Sequence, residues 1–162
     1  MDTATKRARI GELLESAGWV VRADVERALH AQQQTGGVLG ELLVRQGALD
    51  ETRLLRALSH QTGLRHASLA KVEVPVEAQA LLRLATVERH RILPLGHEGR
   101  TLFLGMVKPD DLHALQAAEA EAGMTAQPVL LAGGQLDELI RLARTDGWGA
   151  RALKVTTREH AQ

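Results

Sequence analysis

The stretch RIGELLESAGWVVRADVERALHAQ, residues 9–32, returns as VLGELLVRQGALDETRLLRALSHQ, residues 38–61. A constant offset of 29 aligns Ile10 with Leu39, Gly11 with Gly40, Glu12 with Glu41, Leu13 with Leu42 and Leu14 with Leu43. The same offset aligns Gly18 with Gly47, Ala28 with Ala57, Leu29 with Leu58 and Gln32 with Gln61. So many matches in one register mark a duplication, with residues 33–37 as the spacer between the copies.

Each copy predicts two helices around a tight corner. Ile10, Leu13, Leu14 and Ala17 fall at i, i+3, i+4 and i+7, one stripe of a short helix. Gly18 and Gly47 are expected to end the first helices, since glycine takes positive φ there without steric cost. Val25, Ala28 and Leu29 form a second stripe, matched by Leu54, Ala57 and Leu58 in the other copy. Asp50 predicts an N-cap, with Glu51 favourable in the first turn; Val21 at the equivalent place leaves the first copy's helix start less well specified. One such pair cannot bury its apolar face, whereas two packed together can. A helical mini-domain with a leucine core therefore accounts for the apolar matches, but it requires neither Gly11 and Gly40 nor Gln32 and Gln61.

Moving outward, the chain is 162 residues long with 20 Lys+Arg against 20 Asp+Glu, so its formal net charge is zero. That balance argues against a nucleic-acid polymer or an acidic membrane surface as partner, which call for a basic excess. The absence of cysteine excludes disulfides and thiolate zinc sites. MDTATKRARI at the start has no apolar run after its basic residues, so it reads as neither a signal peptide nor a membrane insertion, and a cytoplasmic location is expected. Lys6, Arg7 and Arg9 place positive charge where it opposes the helix macrodipole, so helix stability does not explain them. They are a solvated arm or a contact for an anion.

After Gly63 the character changes. Leu64 to Val74 reads as a connector with room for a short strand, and Pro75 opens a helix over about Val76 to Leu84. Arg91 to Leu95 and Thr101 to Val107 flank a polar His97-Glu98-Gly99 turn, which predicts a hairpin. Lys108-Pro109-Asp110-Asp111 reads as a helix start with Pro109 in the first turn; the helix runs over Leu112 to Ala122 and ends at Gly123. A strand over Gln127 to Leu131 and a helix over Gln135 to Arg144 follow. The fold class is therefore α+β: four short helices as a tandem repeat over residues 1–63, a small α/β subdomain over 64–145, and a tail over 146–162. Trp148, in that tail, is either an anchor for a partner or packed on the domain.

Arg9-Ile10-Gly11, the apolar positions that follow, Gly18, the spaced leucines and the closing Gln32 resemble the tandem 24-residue motif of the MshEN domain, as does the second copy. That domain is the N-terminal module of many type II secretion and type IV pilus assembly ATPases. The resemblance implies binding of the second messenger cyclic di-GMP, with no further cofactor, and a protein partner from a secretion or pilus machine. Val38 departs from the motif's arginine, and Glu15 stands at a usually apolar position. Candidate ligand-binding residues are Arg7, Arg9, Ile10, Gly11, Glu12, Leu14, Gly18, Leu29 and Gln32, then Val38, Leu39, Gly40, Glu41, Leu43, Gly47, Leu54, Leu58 and Gln61. Cyclic di-GMP is itself a near-symmetric dimer, so a duplicated motif offers each half a similar surface. Helix amides beginning at Gly11 and Gly40 are expected to face its phosphates. Glu12 and Glu41 are expected to accept from the guanine edge, and Leu14, Leu29, Leu43, Leu54 and Leu58 to supply apolar contact.

Several chemistries are absent from the sequence. No G-x-x-x-x-G-K-[ST] stretch occurs, and the chain is too short to add a motor ATPase to these two halves. It is a stand-alone sensor or adaptor, or a piece of a longer protein. Its seven histidines form no H-x-x-x-H or H-x-x-E-H spacing, and no nucleophile elbow is present. The expectation is a regulatory binding module and not an enzyme. The alternative is a protein-docking adaptor that has lost its nucleotide site.

Overall fold

The structure is a computed structural model that describes residues 3–67 and 71–156, with side chains from Ile10 onward. The chain divides after Leu64 into two compact units. The first holds α1 (Thr3–Ser16), α2 (Arg22–Thr35), α3 (Leu39–Arg45) and α4 (Glu51–Thr62). Both copies close their first helix in the same way. Trp19 N–H reaches Leu14 O at 3.1 Å and Gly18 N–H reaches Glu15 O at 3.0 Å, while Ala48 N–H reaches Leu43 O at 3.1 Å and Gly47 N–H reaches Val44 O at 3.0 Å. These are paired Schellman closures, and they require the left-handed glycine at φ +76° that Gly18 and Gly47 supply. Asp50 caps α4 as the sequence predicts, accepting Arg53 N–H at 2.8 Å. Val21 has no side-chain acceptor, and α2 is held from the other direction: Asp24 Oδ2 accepts Val21 N–H at 3.2 Å. That bond, and then the one from Arg27, hold the Asp24 carboxyl below the usual carboxylate range. The core of this unit is Ile10, Leu14, Val20, Ala28, Leu39, Leu42, Leu43, Leu49, Leu54 and Ala57.

The second unit runs β1 (Lys71–Val74), α5 (Val76–Gln79), α6 (Leu84–His90), β2 (Ile92–Glu98), β3 (Thr101–Met106), α7 (Leu112–Ala122), β4 (Thr125–Leu130), α8 (Gly133–Asp146) and β5 (Leu153–Thr156). The hairpin β2–β3 is antiparallel, β4 lies parallel to β3, and β1 pairs separately with β5. Ile92, Leu93, Leu102, Leu104 and Met106 from the sheet meet Leu136, Leu139, Ile140 and Ala143 of α8 and Ala114 and Ala118 of α7. Along the side of β4 away from β3, Ala126 N–H donates to Glu119 Oε2 at 3.1 Å, Pro128 has no N–H, and Leu130 N–H donates to Arg65 O at 2.9 Å. Between α6 and α7, Arg83 donates to the Glu121 carboxylate. Burial raises the affinity of Glu121 for a proton, but the bonds from Arg83 and Thr86 outweigh it and leave its pKa lowered.

The α+β class and the four-helix repeat stand, and several local readings need correction. The helix opened by Pro75 stops at Gln79, and a separate helix, Leu84–His90, follows it. Pro109 lies before α7 rather than within its first turn, because Asp111 is the N-cap and accepts Ala114 N–H at 3.1 Å. The stretch read as a tail contains β5, whose partner β1 lies far away in sequence. Trp148 is half-buried against the core of this unit, and residues 157–162 lie outside the described residues. No helix among the described residues is long and apolar enough to cross a membrane.

Candidate functional site

The tandem repeat places its two copies in reciprocal contact. Trp19, in the corner of the first copy, lies under the Arg53 guanidinium of α4, 5.7 Å from ring centroid to Cζ. Gln46, in the corner of the second, donates through Nε2 to Asp24 O of α2 at 3.3 Å. Arg53 and Asp24 occupy equivalent positions at the offset of 29. Each corner thus touches the other copy's second helix at corresponding positions, through residues that do not themselves correspond: Trp19 aligns with Ala48 and Gln46 with Ala17.

The two motif glycines have a packing role that sequence alone did not reveal. A Cβ on Gly11 would meet Val25 Cγ1 at 3.2 Å and Leu39 Cδ2 at 3.6 Å; one on Gly40 would meet Leu54 Cδ1 at 2.5 Å and Cδ2 at 3.1 Å. Val25 and Leu54 are themselves equivalent, so both copies use glycine to let the second helix close onto the first. Gly11 is also not at a helix start. It lies well inside α1, beyond the first four N–H groups that an α-helix leaves unpaired. The expected phosphate-facing amides at Gly11 are therefore spent within the helix. Gly40 does lie in the first turn of α3, ahead of the Leu42 N–H to Val38 O bond at 3.1 Å.

Alanine at these glycines should separate the two effects. In a helix it gains about 1 kcal/mol over glycine, while overpacking a filled site costs about 1–3 kcal/mol. Gly40→Ala is expected to lower urea stability by about 1–2 kcal/mol because Leu54 has to move. Gly11→Ala, with its looser contact, should stay within about 1 kcal/mol of the parent. Equal effects of both substitutions would refute a packing role set by these distances.

The remaining candidates sort by exposure. Ile10, Leu14, Leu39, Leu43 and Leu54 are buried in the helical core. Leu29 is 37% exposed, its equivalent Leu58 is half-buried, and Gln32 and Gln61 follow one turn later on the same helices. Gln32 Nε2 donates to Gly37 O at 2.9 Å, which ties the end of α2 to the spacer. Glu12 is exposed, Glu41 and Val38 are half-buried, and Gly18 and Gly47 are exposed in their turns. Arg7 and Arg9 belong to α1, but their side chains, like that of Lys6, lie outside the described residues. Besides the turn glycines Gly18 and Gly47 and the half-buried Val38, reachable from solvent are thus Glu12, Glu41, Leu29, Leu58, Gln32 and Gln61, three equivalent pairs. Arg53, Trp19 and Gln46 escaped the sequence reading because they join the copies and do not repeat. No group of three His, Asp or Glu side chains among the described residues gathers as metal ligands.

A family model described as the MshEN domain matches residues 62–146, the α/β part of the chain and not the tandem repeat. A solved structure of MshE with cdg aligns at a TM-score of 0.66 and 34% identity, over 82% of this chain and 96% of that one. The N-terminal domain of XpsE aligns at a TM-score of 0.64 and 23% identity over 87% and 96%, a likeness of fold alone. The type IV pilus assembly ATPase PilB of Thermus thermophilus is 29% identical over 122 residues, 74% of this chain and 14% of that protein. PilB of Myxococcus xanthus is 26% identical over 132 residues, 82% of this chain and 23% of that protein. The chain therefore spans less than a quarter of the length of these two relatives.

Proposed function

The chain belongs to the MshEN domain family, and from that premise we propose that its helical unit binds one cyclic di-GMP across the two copies of the motif. The observation that carries the reading is the reciprocal contact of the copies, Trp19 with Arg53 and Gln46 with Asp24. A duplicated protein motif whose copies are in contact suits a near-twofold ligand. The relationship to MshE, solved with cdg, supports the same ligand here. In this reading Leu29 and Leu58 lie against the guanines, Glu12 and Glu41 accept from their N–H groups, Gln32 and Gln61 bond polar edges, and Arg9 pairs with phosphate or guanine.

Ligand occupancy then alters a contact with a protein of a pilus or secretion machine in the cytoplasm. The chain acts by binding and hydrolyses neither ATP nor GTP, since it carries no phosphate loop. Calorimetric titration with cyclic di-GMP, with GMP as the control, tests the proposal: saturable heat with a stoichiometry of one is expected for the dinucleotide only. Absence of heat for both leaves the second reading, a docking module without a nucleotide site. Val38 favours that second reading, because a half-buried isopropyl group stands at the motif's arginine position.

A further inference from the structure

Gln79 is 1% exposed and binds three backbone groups at once. Its Nε2 donates to Val74 O at 3.0 Å and to Arg151 O at 2.7 Å, and its Oε1 accepts Gly149 N–H at 2.6 Å. Two of those groups belong to the segment that follows α8. The same segment is fixed by Trp148 Nε1, which donates to Leu82 O at 2.8 Å, and by β5, which runs antiparallel to β1 from Leu153 opposite Val74 to Thr156 opposite Lys71. Gly147 at φ +94° and Gly149 at φ +86° sit where the segment turns back.

We propose that residues 147–156 form a strap that opens and closes as one unit about Gly147, with Gln79 as its keeper, while the three-stranded sheet and its helices stay folded. The bonds from Gln79 to Gly149 and Arg151 share a single amide, so they are made and lost together. A buried amide that loses one partner is left unsatisfied at a cost, which favours its bonds being kept as a set. Beyond Trp148 and the Gln79 bonds, the strap's hold rests on one four-residue strand, of which Leu153 is buried and Val155 half-buried against the core. Segments with so few buried groups open at lower free energy than the core they cover. When open, the strap takes β5 off β1.

The test uses the full chain with Trp19→Phe, which leaves Trp148 as its one tryptophan. In that background Gln79→Leu is expected to speed tryptic cleavage after Arg151 and Lys154 by roughly tenfold to a hundredfold, from two lost hydrogen bonds. Trp148 emission should shift red at urea concentrations that leave helical circular dichroism unchanged. The chain has no cysteine, so Glu73→Cys with Lys154→Cys, which face each other across the ladder, introduces a single disulfide. It should restore slow cleavage after Arg151 in the Gln79→Leu protein, and reduction of the disulfide should undo that protection. In the parent, amides of β5 should exchange faster than those of β3. One shared unfolding transition for strap and core, or β5 amides as protected as those of β3, overturns the proposal even if the leucine variant fails to fold.

Discussion

Leu43→Ala is expected to destabilise the helical unit by about 2–5 kcal/mol, the range for emptying a filled leucine site. Leu43 is fully buried in the core between the two copies. A loss of that size is a large part of the total for so small a unit, so the variant should show reduced helicity and an early urea midpoint. Any loss of cyclic di-GMP binding would then come from unfolding rather than from a missing contact. Leu29→Ala is the counterpart, because Leu29 is 37% exposed. It should leave the midpoint close to the parent's while weakening cyclic di-GMP by roughly tenfold, about 1.4 kcal/mol. Urea unfolding and calorimetry on both variants decide the matter. If Leu29→Ala binds like the parent, apolar contact from α2 is not part of the site.

Arg9→Ala should weaken cyclic di-GMP binding by roughly tenfold to a hundredfold. A charge-assisted hydrogen bond is worth about 1.5–3 kcal/mol, and about 1.4 kcal/mol is a factor of ten. Because Val38 occupies the equivalent place, the two half-sites do not share this load, and Val38→Ala should change affinity little. Arg7 is the rival cation, so Arg7→Ala belongs in the comparison. All three titrations are run at two salt concentrations, since a diffuse charge effect fades with screening and a direct bond fades less. Parent-like affinity of Arg9→Ala at both salts would remove the motif arginine from the site.

What was readable in the sequence was local chemistry. Gly18, Gly47 and Gly123 end helices, and Asp50 starts one, because each acts on backbone groups within a few residues of itself. The helix Leu84–His90 carries no start signal, since its N-cap is Arg83, whose side chain has no acceptor to offer. The strand Leu153–Thr156 was missed since its partner is β1 and only Leu153 is buried, so no alternation announces it. At the candidate site, the repeat register named the residues but not their duties. Gly11 and Gly40 read as room for a ligand, and the distances to Val25 and Leu54 show room for a helix. The leucines divide the same way: Leu14, Leu43 and Leu54 face inward, whereas Leu29 reaches solvent. Facing direction depends on how the copies meet, which the pattern within one copy does not contain.

The outward side of β4 has one further effect. A sheet grows, or recruits a neighbour into a fibre, by offering a row of free donors to an incoming chain. Here the row is dismantled at successive positions: Glu119 occupies the donor of Ala126, proline deletes the one at residue 128, and Arg65 O takes that of Leu130. A molecule arriving from that direction finds no free donor at these three positions. That flank is thereby a poor template for strand addition when copies of this domain are crowded together.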